Sequence, residues 1–404
     1  MRNKEKGITL IALIITIIVM LILVGVVVTV VIQSNLLGTA KTAGDKYKTA
    51  YEDESNMSEV TINGEKYASI EDYLESIKPL PEGAGKRFTE TKEYNDGTKT
   101  AWIPAGFTVS GKNSETKVDG GLVIYDIPEN EIENVKWDGT EKTKYNQFVW
   151  IPVAVNKATD KETSIASFYR SEWADNARTL STYFYFYTEP YSYDKTNDYD
   201  TSTGIKSQIE NLTKSIYKYG GFYIGRYEAG SETERKSSSG KTAIGIKQDM
   251  YPYNFVKWGE SMSDIGTIGA VALSNSLYNS SNYGATSMLC TGACWDSMLD
   301  FIKDTKNVTN STEWGNYNDA EFKITRGSYA ERENYFLGSF TAVEGTYKKK
   351  LYSVSNKDIL LTTGATERNS AKNIYDVAGN CLELTTESYS SDRRVVRGRP
   401  IPWL

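Results

Sequence analysis

Asn373-Ile-Tyr-Asp-Val-Ala-Gly-Asn-Cys-Leu-Glu-Leu-Thr385 is a polar turn flanked by apolar residues. Two further stretches belong with it. Upstream, Leu289-Cys-Thr-Gly-Ala-Cys-Trp-Asp-Ser-Met-Leu-Asp-Phe-Ile302 offers Thr291 as a helix cap. It then sets Trp295, Met298, Leu299 and Ile302 on one helical stripe, a face that needs a core to cover it. Earlier still, Gly220-Gly-Phe-Tyr-Ile-Gly-Arg-Tyr-Glu228 reads as a glycine-bounded strand, while Gly121-Leu-Val-Ile-Tyr125 and Gln147-Phe-Val-Trp-Ile151 read as short buried strands. Nearer the N-terminus, Val60–Tyr67 alternates around Asn63-Gly64, the pair that best suits a type I′ hairpin turn. Ile70, Tyr73, Leu74 and Ile77 then fall at helical spacing until Pro79 and Pro81 stop the helix.

The C-terminal stretches resemble the formylglycine-generating enzyme (sulfatase-modifying factor) domain. Supporting matches are Tyr251-Pro252, Val256-Lys-Trp258 and Arg394-Val-Val-Arg-Gly398, so the resemblance covers roughly residues 145–398. It implies a C-type-lectin-like fold, with irregular loops around small sheets and two helices. The family carries a tryptophan on each side of the glutamate, where this chain has Leu382 and Leu384. Leucine can still fill a core, but the local packing must differ. After Arg397-Gly398 the family continues with more strands, whereas this chain runs Arg399-Pro-Ile-Pro-Trp-Leu404. A truncated C-terminus with unpaired sheet edges is therefore expected.

In that family a side-chain oxygen, two backbone carbonyls and a glutamate of the polar turn hold Ca²⁺. The resemblance carries these roles to Asp376, Gly379, Cys381 and Glu383. Hard oxygen donors are what Ca²⁺ takes, typically about six to eight of them, so this turn supplies an incomplete shell. The alternative is that Asp376 and Glu383 cap a turn or pair with arginine. The family's two catalytic cysteines follow its RGG sequence, and none occurs there in this chain; Cys290, Cys294 and Cys381 lie elsewhere. No catalytic residue carries over, and a domain without the oxidase activity is expected. Cys290 and Cys294 read either as buried apolar thiols or as a pair sharing a helical face.

From Ile8 to Ile32 the chain holds 25 residues without a charge, of which 19 are Ile, Leu or Val. As a helix this segment would be ~37 Å long, enough to cross a hydrocarbon core of ~30 Å. Arg2, Lys4 and Lys6 precede it and Lys41, Lys46 and Lys48 follow, so the short basic head is the part more easily left in the cytoplasm. Lys4-Glu-Lys-Gly7 followed by Ile8-Thr-Leu10 resembles a type IV prepilin leader. That resemblance implies cleavage after Gly7 by a prepilin peptidase and methylation of Ile8. Pilins usually carry glutamate at the fifth mature position, where this chain has Ala12, so filament assembly does not follow.

Residues 181–204 hold six tyrosines among Ser, Thr, Asp and Asn. Tyr183, Tyr185, Tyr187, Tyr191 and Tyr193 read either as an adaptable recognition surface for an unknown surface ligand or as an exposed loop or edge strand. The absence of histidine from all 404 residues excludes Ser-His-Asp and Cys-His catalysis and imidazole metal sites. A formal charge of −6, with no basic stripe, argues against nucleic acid as a partner.

The expected organisation is therefore α+β. It comprises a leader (1–7), a single N-terminal transmembrane helix (8–32) in contact with membrane lipid, and a polar stalk with a small hairpin-helix module (33–78). A β-rich connecting region (79–144) and an irregular C-type-lectin-like domain (145–404) complete it. The expected function is a membrane-anchored, extracytoplasmic, non-catalytic binding or display protein. A minor pilin or pseudopilin is the alternative, followed by a formylglycine-type oxidase.

Overall fold

The structure is a computed structural model. It describes residues 60–62, 65–67, 69–153, 204–237, 242–258, 269–278, 283–317, 322–324, 326–333, 336–337, 339–343, 348–350, 358–390 and 393–398. The chain divides into two compact units, Met1–Ile77 and Lys78–Leu404. In the first, β1 (Val60–Ile62) and β2 (Glu65–Tyr67) pair antiparallel, and α1 (Ile70–Ser76) follows. The register Ile62↔Glu65 leaves two residues for the connection; Asn63 and Gly64 themselves lie outside the described residues.

The second unit opens with the hairpin β3 (Lys92–Asn95) and β4 (Thr100–Ile103). A four-stranded antiparallel sheet follows in the order β5 (Thr108–Val109), β6 (Val123–Tyr125), β7 (Gln147–Pro152), β8 (Gly221–Gly225). The short helix α2 (Glu141–Lys144) lies before β7, and α3 (Ile205–Tyr219) leads into β8. Both faces of this sheet are covered, which is why β6 and β7 read as continuous apolar runs rather than alternating ones. Val123, Tyr125, Val149 and Ile151 belong to one core with Trp295, Met298, Leu299 and Ile302. Ile124 and Trp150 belong to the opposite core with Tyr94, Ile103 and Phe107.

Beyond β8 come the pair β9 (Gly230–Ser231) and β10 (Tyr251–Pro252), then α4 (Ala270–Leu277) and α5 (Gly292–Ile302). The α5 helix starts where the sequence places its cap: Thr291 Oγ1 accepts the Cys294 N–H at 3.0 Å. Trp295, Met298, Leu299 and Ile302 are all buried, so the apolar stripe is the face that meets the sheet. The strands β11 (Phe322–Ile324) and β15 (Lys348–Lys350) pair with each other. A second sheet centres on β12 (Gly327–Glu333), with β13 (Phe336–Leu337) and β14 (Thr341–Val343) along one edge and β16 (Asp358–Leu361) on the other. An irregular segment, 362–382, then leads to β17 (Glu383–Ser390), which pairs with β18 (Arg393–Arg397) through two register shifts.

This corrects the expected architecture of a transmembrane helix followed by an irregular C-type-lectin-like domain. The described residues form a mixed helix-and-strand structure with small antiparallel sheets, and none of their helices is long and apolar enough to cross a membrane. At ~1.5 Å per residue, the 15-residue α3 reaches only about 22 Å. The sheets stay small because strands of two to eight residues alternate with loops held by side-chain hydrogen bonds instead of ladder pairing. Residues 8–32, Gly7 and the C-terminal 399–404 lie outside the described residues.

Candidate functional site

The polar turn of the sequence lies in the 362–382 segment, and its backbone is unusual. Lys372, Asn373, Asp376 and Asn380 all take positive φ, as does Gly379 at +85°. Non-glycine residues adopt such angles at a cost and keep them only where surrounding contacts enforce them. The contacts come from three directions. Asn380 acts as a substitute ladder residue for the end of β16: its Oδ1 accepts the Leu361 N–H at 2.8 Å, and its Nδ2 donates to the Leu361 carbonyl at 3.2 Å. Asn316 donates its Nδ2 to the same Asn380 Oδ1 at 2.9 Å and bridges Gly379 in parallel fashion. A Cβ on Gly379 would sit 2.1 Å from the Asn316 carbonyl oxygen, so only glycine allows that approach. The third direction is the chain leaving β8, where the Tyr375 N–H donates to the Arg226 carbonyl at 2.8 Å.

Two residues past Arg226, Glu228 reaches the turn. Its Oε2 accepts Asn380 Nδ2 at 2.8 Å, and its Oε1 accepts the Cys381 N–H at 3.2 Å. Asp376 is 1% exposed; its Oδ2 accepts the Gly364 N–H at 2.7 Å, while its Oδ1 makes no well-formed hydrogen bond, although the Asn369 side chain and the Glu228 N–H lie near enough to favour the charged form. Glu383 Oε2 is likewise buried and without a hydrogen-bond partner. Burial is the main cause that pushes Asp376 up to about 7, although the Gly364 N–H works against it. Burial, and after it the charge of Asp376, drives Glu228 well above the usual carboxylate range. For Glu383 burial again comes first and Glu228 second. The Cys381 thiol is pushed far up by burial and then by Glu228, which leaves it protonated and a poor nucleophile.

All four turn residues named from the sequence are in this place, and two of the oxygen donors converge. A Cβ on Gly398, at the end of β18, would lie 2.3 Å from Glu383 Oε2 and 3.7 Å from the Cys381 carbonyl oxygen. Having no Cβ, Gly398 lets the Glu383 carboxylate pack against the backbone near the Cys381 carbonyl. Asp376 does cap a turn, through Gly364, but one of its oxygens remains over. Among the described residues no group of three or more Cys, Asp or Glu side chains is set to hold a metal ion. A cation here would depend on carbonyls besides Asp376 and Glu383. Cys381 is a free thiol. Leu384, in place of the family's tryptophan, packs against the cluster of Ile205, Ile209, Val271 and Leu289.

Sequence reasoning did not single out Glu228, Asn316 or Gly364. Glu228 could have been marked as a carboxylate closing an apolar glycine-bounded strand; Asn316 and Gly364 carry no such signal. Tyr183, Tyr185, Tyr187, Tyr191, Tyr193 and Ile8 lie outside the described residues.

A second buried cluster lies on the same strand exit. Arg226, 1% exposed, meets Glu115 at 2.9 Å and donates to the Tyr125 hydroxyl at 3.1 Å and to Gln147 Oε1 at 3.2 Å. Burial alone would raise Glu115, but Arg226, Lys142 and Lys112 outweigh it and hold the carboxylate at about 2. Lys142 falls to about 8, first through burial and then through the charge of Arg226. A third ion group joins α5 to the last hairpin: Arg397 lies 3.3 Å from Asp296 and 2.5 Å from Glu387.

No protein-family model matches the chain, and no curated protein or solved structure matches it. The likeness to the formylglycine-generating enzymes and to prepilins rests on the motif residues alone.

Proposed function

We propose that this protein is a membrane-attached, extracytoplasmic binding protein without catalytic activity, in which a hard cation such as Ca²⁺ stiffens the 372–383 turn. Membrane attachment rests on the composition of residues 8–32, with Gly7 and Ile8 as the leader cleavage and methylation residues for a prepilin peptidase. The binding reading is carried by one observation: Asp376 Oδ1 and Glu383 Oε2 are buried without hydrogen-bond partners, and the latter packs against Gly398, whose Cβ position lies 3.7 Å from the Cys381 carbonyl oxygen. Buried carboxylate oxygens are normally paired or bound to metal. When bound, the cation would supply the positive charge that these carboxylates lack, using Asp376, Glu383 and the carbonyls of Gly379 and Cys381. The protonated Cys381 thiol beside them suits a structural loop better than a nucleophile. The tyrosines at 183, 185, 187, 191 and 193 are the proposed contact residues for a surface ligand.

Fractionation of expressing cells tests this reading. The full chain should sediment with membranes after a high-salt wash, and external protease should cut it beyond Lys78 in intact cells. A freely dissolved cytosolic pool with no membrane fraction contradicts it. Recovery in sheared high-molecular-weight filaments transfers the case to the minor pilin reading. Conversion of a cysteine-containing sulfatase peptide to formylglycine would show an enzyme instead.

A further inference from the structure

We infer that Glu228 is a positioning residue for the cation site, acting from outside the turn and through Asn380 and Cys381 rather than by touching the ion. The inference rests on the reading of the 372–383 turn as a hard-cation site. Glu228 lies 152 and 153 positions upstream of the two turn residues it contacts, Asn380 and Cys381.

Its two oxygens face two donors, Asn380 Nδ2 at 2.8 Å and the Cys381 N–H at 3.2 Å. Each carboxyl oxygen of Glu228 thus accepts one of these N–H groups. Glutamine would turn an NH₂ group toward one of those N–H groups, leaving a donor against a donor and one buried N–H unsatisfied. Each oxygen of Glu228 is already taken by a protein N–H. Its effect is on geometry instead. By accepting the Cys381 N–H it fixes the Asn380–Cys381 peptide plane, immediately before the Cys381 carbonyl that lies 3.7 Å from the Gly398 Cβ position. By accepting from Asn380 it leaves that side chain's other contacts to Leu361 and Asn316, and so ties the turn to β16. The backbone here is left-handed at Asp376, Gly379 and Asn380, a shape that local preference opposes and that needs an outside clamp.

An independent feature points to a ligand for the turn so clamped. Asp376, 1% exposed, keeps one carboxylate oxygen without a hydrogen-bond partner. Outer-shell groups that orient ligands change metal affinity by about ten- to a hundredfold when removed.

The test is a Ca²⁺ titration of the full chain in detergent, read by calorimetry well below each variant's melting midpoint. The midpoints themselves are measured with and without chelator. Glu228→Gln should weaken Ca²⁺ binding by about ten- to a hundredfold. Glu228→Asp, which keeps two acceptor oxygens, should recover part of that loss. A purely structural role would lower the chelator midpoint and leave the affinity unchanged, and that result overturns the inference while the cation reading stands. If the parent chain shows no heat of binding and no midpoint shift with Ca²⁺, the cation reading fails, and the inference with it.

Discussion

Arg226 and Glu228 stand two residues apart on the chain leaving β8, yet each lies in a buried polar cluster of a different kind. Around Arg226 the charges are opposite: Glu115 is paired, hydrogen-bonded by Ser110 and Tyr125, and held at about 2. Around Glu228 the charges are alike, and Asp376 is pushed up to about 7. The difference teaches that burial by itself does not tell what a charged cluster is for. An arrangement that satisfies its own charges joins elements of the fold. One that leaves like charges together requires protons or a cation from outside.

The largest effect that would sharpen this contrast is expected at Glu115. Glu115→Ala leaves Arg226 buried without its counter-charge and should destabilise the second unit by roughly 3–5 kcal/mol in urea denaturation. A loss within ordinary surface-mutant range would break the view that this cluster is structural.

The two clusters should also respond to pH with opposite signs. The pKa of Glu115 is lowered on folding, from 4.5 to about 2, so its contribution is present above 4.5 and disappears as pH falls toward 2. The pKa of Asp376 is raised, from 3.8 to about 7, so its contribution is present below 3.8 and disappears as pH rises through 7. In chelator, Asp376→Asn should therefore raise stability at pH 8 relative to pH 4, by on the order of 2 kcal/mol between those pH values. Parallel pH profiles for parent and variant would remove the like-charge cluster from the account.

A smaller effect is expected at Gly398, whose φ is +74°. Gly398→Ala should cost about 1–2 kcal/mol through the left-handed backbone and should abolish any Ca²⁺-induced shift, because the new methyl lies against Glu383 Oε2. Retention of the full shift would place the ion elsewhere. The smallest change, Thr291→Ala, removes the α5 cap and should cost ~1 kcal/mol in thermal melts without altering the response to Ca²⁺ or pH. It sets the scale for a purely local loss.

What could be read from the sequence follows the range of the interactions. The α5 stripe and its cap are separated by only a few residues, so spacing alone displays them. The central strands show as apolar runs because both sheet faces are covered. The α3 helix carries Ile205, Ile209, Leu212 and Ile216 at helical spacing, a pattern obscured by the tyrosine-rich run before it. By contrast, the Arg226–Glu115 contact spans 111 positions and the Asn316–Asn380 contact 64, and no local period encodes either. The architecture was misjudged because motif likeness fixes the neighbourhood of a turn, not how many strands pair around it. The turn residues themselves were legible; the clamp from Glu228 was not.

The account depends most on the 372–383 turn taking up a hard cation. Thermal melting of the full chain at neutral pH, with Ca²⁺ and then with excess chelator, measures this directly. A higher midpoint with Ca²⁺, abolished by Asp376→Ala, is the predicted result. Identical midpoints in the parent chain under both conditions would contradict it.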